Sequence, residues 1–589
     1  MPGLVASASK NTPRLFIILI IFSILGFGLF DRSPWRGTDL FGTALIKSCV
    51  DAYYLSSLSC IVPNFYGSIF ASEGPLFTWS ISFLILSINF LLKVSQLEPI
   101  SINYFDDLAR IIQSFYILIG LSILWIGTKT LALRRESKPI DPLGIGPTSE
   151  KFSSNIADCS VLITISCLGL IMPWHEVGKT GLNFLLFSTI FYSLSIAPEK
   201  PKKAGAIFGV TSLAVLFSSG IGVFIFTYLA SLIICFRTYP WYLVGKTFHS
   251  YSLFFLLLGS LPFFFIEFKA ESISLIKIWV EYQTSQEKFQ PFFLIKTWLW
   301  TWWPLWPIVT AFAIQAYREK FIMLSHLQMP LILLFMLTLF PLSGVFVSEG
   351  VKFIPIVPLA VLAAFGLLSL PRSVANLLDY FALSIFTFLS FMIWMYWIAL
   401  HTGTPDLIYK NVIKAAPNIS GKFNLQEIIL GIVVSCSWVL LIVWRIRVSE
   451  PMIWRPVILS AGGLGLTWVL LINLWGPALE VNRGFTEITR EVTKVIKISH
   501  PNISEICIGI NHNDLKTRAI VLANSELKIN KIGVEKEIDC EYMMIRSINI
   551  VNLKASNSLN LKNWNMVWSG NREADPRKKE NFLLYKKIY

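Results

Sequence analysis

Charge is what this 589-residue chain has least of. Asp, Glu, Lys and Arg make up only 15% of it against 54% hydrophobic residues, and its mean hydropathy is +0.62. Water-soluble domains are thereby excluded for most of the length. Alternation is missing too: the apolar runs are continuous, which excludes membrane-spanning strands. No cysteine pair has metal-site spacing and the acids are scattered, so neither a metal nor a cofactor is expected. No internal repeat is visible, and the symmetry of many secondary transporters is absent. Nothing resembles a nucleic-acid module, although the net charge is +14. That charge reads instead as short basic loops kept in the cytoplasm, such as Arg134, Arg135 and Lys138, the Lys200, Lys202 and Lys203 group, Arg318 and Lys320, and Arg445, Arg447 and Arg455. Lys10 and Arg14 precede the first apolar run with no small-residue cleavage site before Asp31, so an uncleaved first helix is expected.

What is abundant is apolar runs of bilayer-spanning length, about 20 residues each. They fall near 15–30, 76–94, 111–133, 156–173, 181–197, 205–236 (long enough for two short helices), 250–267, 302–316, 329–347, 353–370, 380–400, 426–444 and 457–475. The fold class expected is an all-α polytopic membrane protein of about 12–14 transmembrane helices with a small C-terminal α/β extracytoplasmic domain. Residues 1–476 are the transmembrane part, with 31–75 as the first outer loop, and 477–589 the soluble part. Placing 134–155 inside makes every later loop alternate cleanly and leaves the tail outside. The beginning resists this: two full crossings before Arg134 would put that loop outside, so either 76–94 is no simple crossing or the positive-inside rule fails there.

The tail loses the long apolar runs. Glu480–Lys497 reads as an amphipathic helix, Leu515–Leu527 as another, and Ile503–Ile510, Tyr542–Ile548, Trp564–Trp568 and Phe582–Tyr585 as strands. It carries no phosphate loop, nucleophile elbow or paired catalytic carboxylates, which suggests support or substrate recognition. Cys49 with Cys60, and Cys507 with Cys540, are candidate disulfides if their segments are extracytoplasmic. Cys159, Cys167, Cys235 and Cys436 lie in or beside apolar spans as small hydrophobes.

Polar groups collect in the first outer loop, which holds Arg32, Arg36, Asp39, Lys47, Asp51 and Glu73. Glu73 stands where the loop enters an apolar span, either as a functional carboxylate or as a solvated residue ahead of a Pro in the first helical turn. Asp39 is a candidate to accept a proton from an attacking hydroxyl or to stabilise positive charge developing at a sugar carbon, or a helix cap before Leu40–Val50, or both. Phe41–Val50 could lie flat on the membrane, and the arginines suit a phosphate. Glu349 and Lys352 are spaced to satisfy each other, unless Lys352 faces a phosphate. His175 is a substrate contact or a structural hydrogen-bonder, and the Trp-rich run 298–306 an interfacial belt or a groove wall.

In sequence order, W-R-G-T-D at 35–39, I-V-P-N-F-Y-G at 61–67, E-G-P-L-F-T-W at 73–79, H-E-V-G at 175–178, F-F-L-I-K-T-W-L-W-T-W-W-P at 292–304, S-E-G-V-K-F-I-P-I-V-P at 348–358, N-L-W-G-P-A-L-E at 473–480, and N-W-N-M-V-W-S-G-N-R at 563–572 before F-L-L-Y are what this chain offers as motifs. Taken together they resemble the GT-C glycosyltransferases, closest to the aminoarabinose transferases and protein O-mannosyltransferase-like enzymes. The resemblance implies a polyprenyl-phosphate-linked sugar donor, a lipid A-like glycolipid or protein acceptor, and transfer with inversion at the outer face of the bacterial inner membrane. By position it implies Asp39 and Glu73 as catalytic carboxylates, and Lys352 and His175 at the substrate. The pattern departs in places: Thr38 and Leu40 flank Asp39 where two adjacent acids are usual, Gly74 follows Glu73 where Lys is common, and Ser219-Gly220 replaces a Lys-Gly. Arg32 or Arg36 are the candidates to restore the lost charge. A transferase is therefore weighed against a lipid or sugar transporter, which the scarcity of midplane charges disfavours, and against a non-catalytic relative that binds lipid-linked sugar.

Overall fold

The computed structural model describes residues 12–30, 32–54, 58–101, 104–138, 146–264, 270–285, 291–343, 349–417, 419, 424–447, 454–500, 506–530, 540–547, 563–572, 574–575 and 580–588. The helices are α1 Arg14–Gly26, α2 Thr38–Tyr54, α3 Leu76–Val94, α4 Phe105–Ala132, α5 Ser149–Ile165, α6 Thr180–Ile196, α7 Pro201–Ser219, α8 Ile221–Arg237, α9 Trp241–Phe264 and α10 Ala270–Gln283. They continue with α11 Pro291–Thr301, α12 Leu305–Arg318, α13 Ser325–Leu339, α14 Ile356–Gly366, α15 Arg372–Thr402, α16 Asp406–Ala415, α17 Leu425–Arg447, α18 Arg455–Arg483, α19 Thr486–Ser499 and α20 Leu515–Asn524. The 205–236 run resolves into α7 and α8, which meet at Gly220. This is a multi-pass helical membrane protein: among the described residues seven helical segments are long and apolar enough to cross a bilayer, and α1, α6 and α8 are shorter apolar helices.

The order of contacts settles the topology of the first helices. Helix α4 begins beside the first loop, where Arg110 donates to the carbonyls of Leu29 (3.3 Å) and Arg32 (3.1 Å). It ends beside the start of α1, where the Trp125 indole and the Arg14 guanidinium share Asp158 at 2.7 and 3.1 Å. Helix α3 starts at that same first-loop end, directly after Glu73, and Ile100 N–H returns to Asn89 at 2.9 Å. Between Leu76 and Phe105 the chain therefore makes no net crossing. With α3 set aside, the basic loops after α4, α6, α8, α12, α14 and α17 all fall at one end of the bundle. The C-terminal domain falls at the other.

Helix α18 runs on through Pro477 to Arg483, and a separate amphipathic α19 follows; the expected single helix over Glu480–Lys497 is thus two, divided at Gly484. Beyond it lies a five-stranded sheet of β3 Cys507–Gly509, β4 Lys528–Ile529, β5 Tyr542–Ser547, β6 Trp564–Asn571 and β7 Asn581–Lys587, in the order β4-β3-β5-β7-β6; β1 Asn64–Phe65 and β2 Ser68–Ile69 form a hairpin in the first loop. Strand β3 is parallel to β4 and β5, and β7 is antiparallel to β5 and β6. Residues 503–505 and Ile548 of the expected strands lie outside the described residues.

Helix α2 does not lie on the membrane. It is wedged between two cores. Ile46 and Val50 join the transmembrane cluster, while Leu40, Ala44 and Leu45 join Phe485, Ile488, Ile520 and Phe582 of the C-terminal domain. An apolar stripe on each side of one helix makes it a buried layer rather than an interfacial one. Arg518, fully buried, fastens the joint by donating to the Phe65 carbonyl from Nε (3.2 Å) and Nη2 (3.0 Å). Lys47 adds a bond from its ammonium to the Ala523 carbonyl at 2.8 Å. Both candidate cystine pairs are disulfides, Cys49–Cys60 in the first loop and Cys507–Cys540 between β3 and β5.

Candidate functional site

The site grows from the W-R-G-T-D turn. Asp39, in the first turn of α2, is wholly buried. Its Oδ2 accepts from Arg32 Nη1 at 2.7 Å, Trp35 N–H at 2.9 Å and Arg110 Nη2 at 3.5 Å, and its Oδ1 from Val177 N–H at 2.7 Å. Burial alone would raise this carboxyl, yet the Arg32 and Arg110 charges and the two amide donors hold it below the ordinary carboxylate value. Asp39 is thus a buried anion that clamps the first loop to α4 and to the H-E-V-G loop. Its bonds run back to Trp35 and across to Val177, not forward to the amides a cap would serve.

The other candidates sort by exposure. Arg32 spends its donors on Asp39, the Gly28 carbonyl (3.0 Å) and the His175 carbonyl, and stacks over Trp35 at 4.2 Å. His175 is buried; its ring nitrogens meet the carbonyls of Ile171 (2.5 Å) and Ile24 (2.6 Å), and burial pushes its pKa down to about 4. Arg36 is exposed, and its N–H donates to the Arg483 carbonyl at 2.9 Å. Lys352 lies beside the Trp-rich run, its carbonyl held by the Trp302 indole at 2.9 Å and its ammonium 5.2 Å from the Phe353 ring. No ion pair of Lys352 is seen among the described residues, and the side chain of Glu349 lies outside them.

Of these residues only Glu73 lines the central cavity. This space of about 330 Å³ lies between the start of α2, the 70–78 segment, the 177–180 turn and Gly350. Phe41, Leu45, Phe70 and Phe77 give it an apolar wall; Thr38, Glu73, Lys179 and Thr180 give it a polar one. Glu73 Oε2 and Lys179 Nζ form an ion pair at 2.8 Å, with side chains 21% and 4% exposed. A buried ammonium beside a partly solvated carboxylate can take an anionic group at the cation and a proton at the anion. Among the described residues no group of three or more His, Cys, Asp or Glu is placed to hold a metal ion.

Lys179 went unnoticed in the sequence, one residue beyond H-E-V-G. The structure explains why the charge comes from there. A Cβ on Gly74 would stand 2.2 Å from the Phe217 carbonyl oxygen and 2.7 Å from that of Ser218. The end of α7 thus leaves no room for a lysine after Glu73, and Lys179 reaches the same carboxylate from another loop. Gly42 does similar service: its Cβ would fall 2.1 Å from the Val177 oxygen, so only glycine lets the H-E-V-G loop close on α2. Glu176 was also passed over. It accepts from the hydroxyl of Thr38, and burial together with the Asp39 charge pushes its pKa up to about 7. Arg110 stands in the first turns of α4, just ahead of the apolar run at 111–133. An Asp-Asp-x-x-Arg cluster opening an apolar helix is a costly arrangement and was the available signal.

No family model matches the chain, and no curated protein matches it. Among solved structures it is similar to the crystal structure of ArnT from Cupriavidus metallidurans in the apo state, with a TM-score of 0.60, 12% identity and 97% of each chain covered. It is similar as well to ArnT from the same organism bound to undecaprenyl phosphate, with a TM-score of 0.56, again at 12% identity and 97% coverage of both chains. The resemblance drawn from the motifs therefore holds at the level of fold: over nearly its whole length the chain has the fold of ArnT.

Proposed function

We propose that this protein is a glycosyltransferase that moves a sugar from a polyprenyl-phosphate-linked donor to a cell-envelope acceptor, a lipid A-like glycolipid or a protein, with inversion. The reaction would run at the outer face of a bacterial inner membrane, the basic loops being cytoplasmic and the two disulfides periplasmic. The observation that carries the reading is the Glu73–Lys179 pair in an amphipathic cavity at the domain end of the bundle. In this scheme the sugar C1–O bond to the donor phosphate breaks as a bond from C1 to an acceptor oxygen forms. Lys179 takes the charge developing on the leaving phosphate, and Glu73 receives the acceptor's proton or, if the acceptor is itself a phosphate, positions it. Asp39, Arg32 and His175 act as positioning residues, while Lys352 is the cation left for the donor phosphate or the acceptor.

The test is transfer of label in membranes from a panel of radiolabelled polyprenyl-phosphate sugars, comparing wild type with Lys179→Met and Glu73→Gln. A loss of about 100-fold or more in each, with donor lipid still copurifying in Glu73→Gln, is expected from removal of a transition-state contact. Transfer unchanged in both sinks the assignment. One observation favours the binding-only alternative: Asp39, the acid the motifs single out, is sealed by its donors and does not line the cavity. Donor retained by wild type with no turnover from any sugar would identify that case.

A further inference from the structure

A second cavity, apart from the central one, lies at the domain end of the bundle. It is a groove of about 310 Å³ between the outer turns of α15, helix α16 and the last turns of α18. Ile393, Tyr396, Val412, Leu471 and Trp475 make it almost wholly apolar. At its domain end stands Asn482, whose side-chain amide donates to the Ala415 carbonyl at 2.7 Å and so ties α16 to α18. Around Asn482 three arginines arrive from three parts of the chain. Arg483 is the next residue, Arg36 of the first loop donates its N–H to the Arg483 carbonyl at 2.9 Å, and Arg572 of the C-terminal domain donates from Nη1 to the Asn482 carbonyl at 2.9 Å.

These cations are close enough to disfavour one another. Burial first, and then Arg36, lowers the pKa of Arg572. Glu176 faces Arg483, and Asp575 and Glu580 face Arg572, yet no ion pair closes on any of the three arginines among the described residues. Arg572 is only 9% exposed, and its Nε is buried without an acceptor among the described residues. Such a donor is costly until an acceptor reaches it. Aromatic faces satisfy part of the charge, Trp35 at 5.5 Å from Arg483 and Phe485 at 5.3 Å from Arg572, but they accept no strong hydrogen bond.

An apolar trough between helices with cations at its head complements an anionic amphiphile. We infer that this groove binds an anionic membrane lipid, its acyl chain along α15, α16 and α18 and its headgroup phosphate on Arg36, Arg483 and Arg572. This site is separate from the proposed donor cavity and does not depend on the transferase reading. It fastens the first loop and the C-terminal domain to α18 through the lipid they share.

Native mass spectrometry of the detergent-solubilised full chain tests it, with phosphatidylglycerol and phosphatidylcholine of equal chain length as probes. Wild type should retain phosphatidylglycerol at about tenfold lower concentration than phosphatidylcholine, the scale of one or two arginine contacts at a lipid surface. Arg36→Gln, at an exposed side chain, and Arg572→Gln should each reduce that preference. Ala415→Trp, at an exposed residue of the groove wall, should weaken binding of both lipids. Equal retention of the two lipids by wild type overturns the proposal, as does unchanged binding in Ala415→Trp. Displacement of phosphatidylglycerol one for one by a polyprenyl phosphate also overturns it, by making the groove part of the donor site. A thermal melt of each variant separates lost binding from lost fold.

Discussion

Replacing Asp39 by Asn separates structure from chemistry at the most prominent acid of the chain. The carboxylate is wholly buried and receives two guanidiniums and two backbone amides. Arg110 keeps Asp106 at 3.1 Å and Asp107 at 3.0 Å when Asp39 is neutralised, but Arg32 loses its one carboxylate ion-pair partner among the described residues while its side chain stays 7% exposed. Breaking a buried ion pair from one side leaves an uncompensated charge and costs about 3–5 kcal/mol. The amide also presents N–H donors where only donors already point. Asp39→Asn should therefore lower the melting temperature by several degrees, followed by tryptophan fluorescence in detergent, and transfer should fall only in proportion to folded protein. The sign with pH follows from the depressed carboxyl. Its contribution is complete above the unfolded value of about 3.9 and is lost only as pH falls through the lower folded value, so the Asp39 carboxyl itself adds no slope from about pH 5 to 8, and the gap should narrow there only through Glu176, which loses the Asp39 charge in the variant. An unchanged melting temperature together with abolished transfer would refute the clamp and make Asp39 a chemical group.

Glu176 titrates in the opposite sense. With its pKa raised to about 7 mainly by burial, the folded state holds a proton that the unfolded chain has released. Its stabilising contribution is therefore complete below about 4.5 and drains away as pH rises through 7; Glu176→Gln should flatten the wild-type decline in melting temperature over that interval. Gly74→Lys, which restores the residue usual in the resembled family, should destabilise by about 1–3 kcal/mol and add no transfer activity, because the Cβ meets backbone oxygens that cannot turn aside. A melting temperature equal to wild type would contradict that geometry. Arg518→Met leaves the Phe65 carbonyl without its two arginine bonds, at about 1–3 kcal/mol for an orphaned buried acceptor, so limited proteolysis should release the C-terminal domain about tenfold faster. Equal cleavage rates would show that the domain is held by its apolar contacts alone.

The amino-acid sequence by itself determined the membrane class, the approximate position of most spans, the outer loop that bears the polar groups and the change to an α/β tail. Transfer of a segment into hydrocarbon is a local sum over about 20 neighbouring residues, so it can be read along the chain without knowing the fold. Leu76–Val94 marks the limit of that sum: it is apolar enough to span, yet the chain on both sides of it contacts the same end of the bundle, and only those contacts reveal it. The site was legible in its motifs but not in its roles. Glu73 does line a cavity, whereas Asp39, Arg32 and His175 are bound into the walls, and that difference lies in burial and donor count rather than in residue type. Lys179 reaches Glu73 across more than a hundred residues because the carbonyl oxygens of Phe217 and Ser218 fill the space beside Gly74. Which cation meets which carboxylate is decided by steric exclusion between distant segments, and no local pattern encodes it.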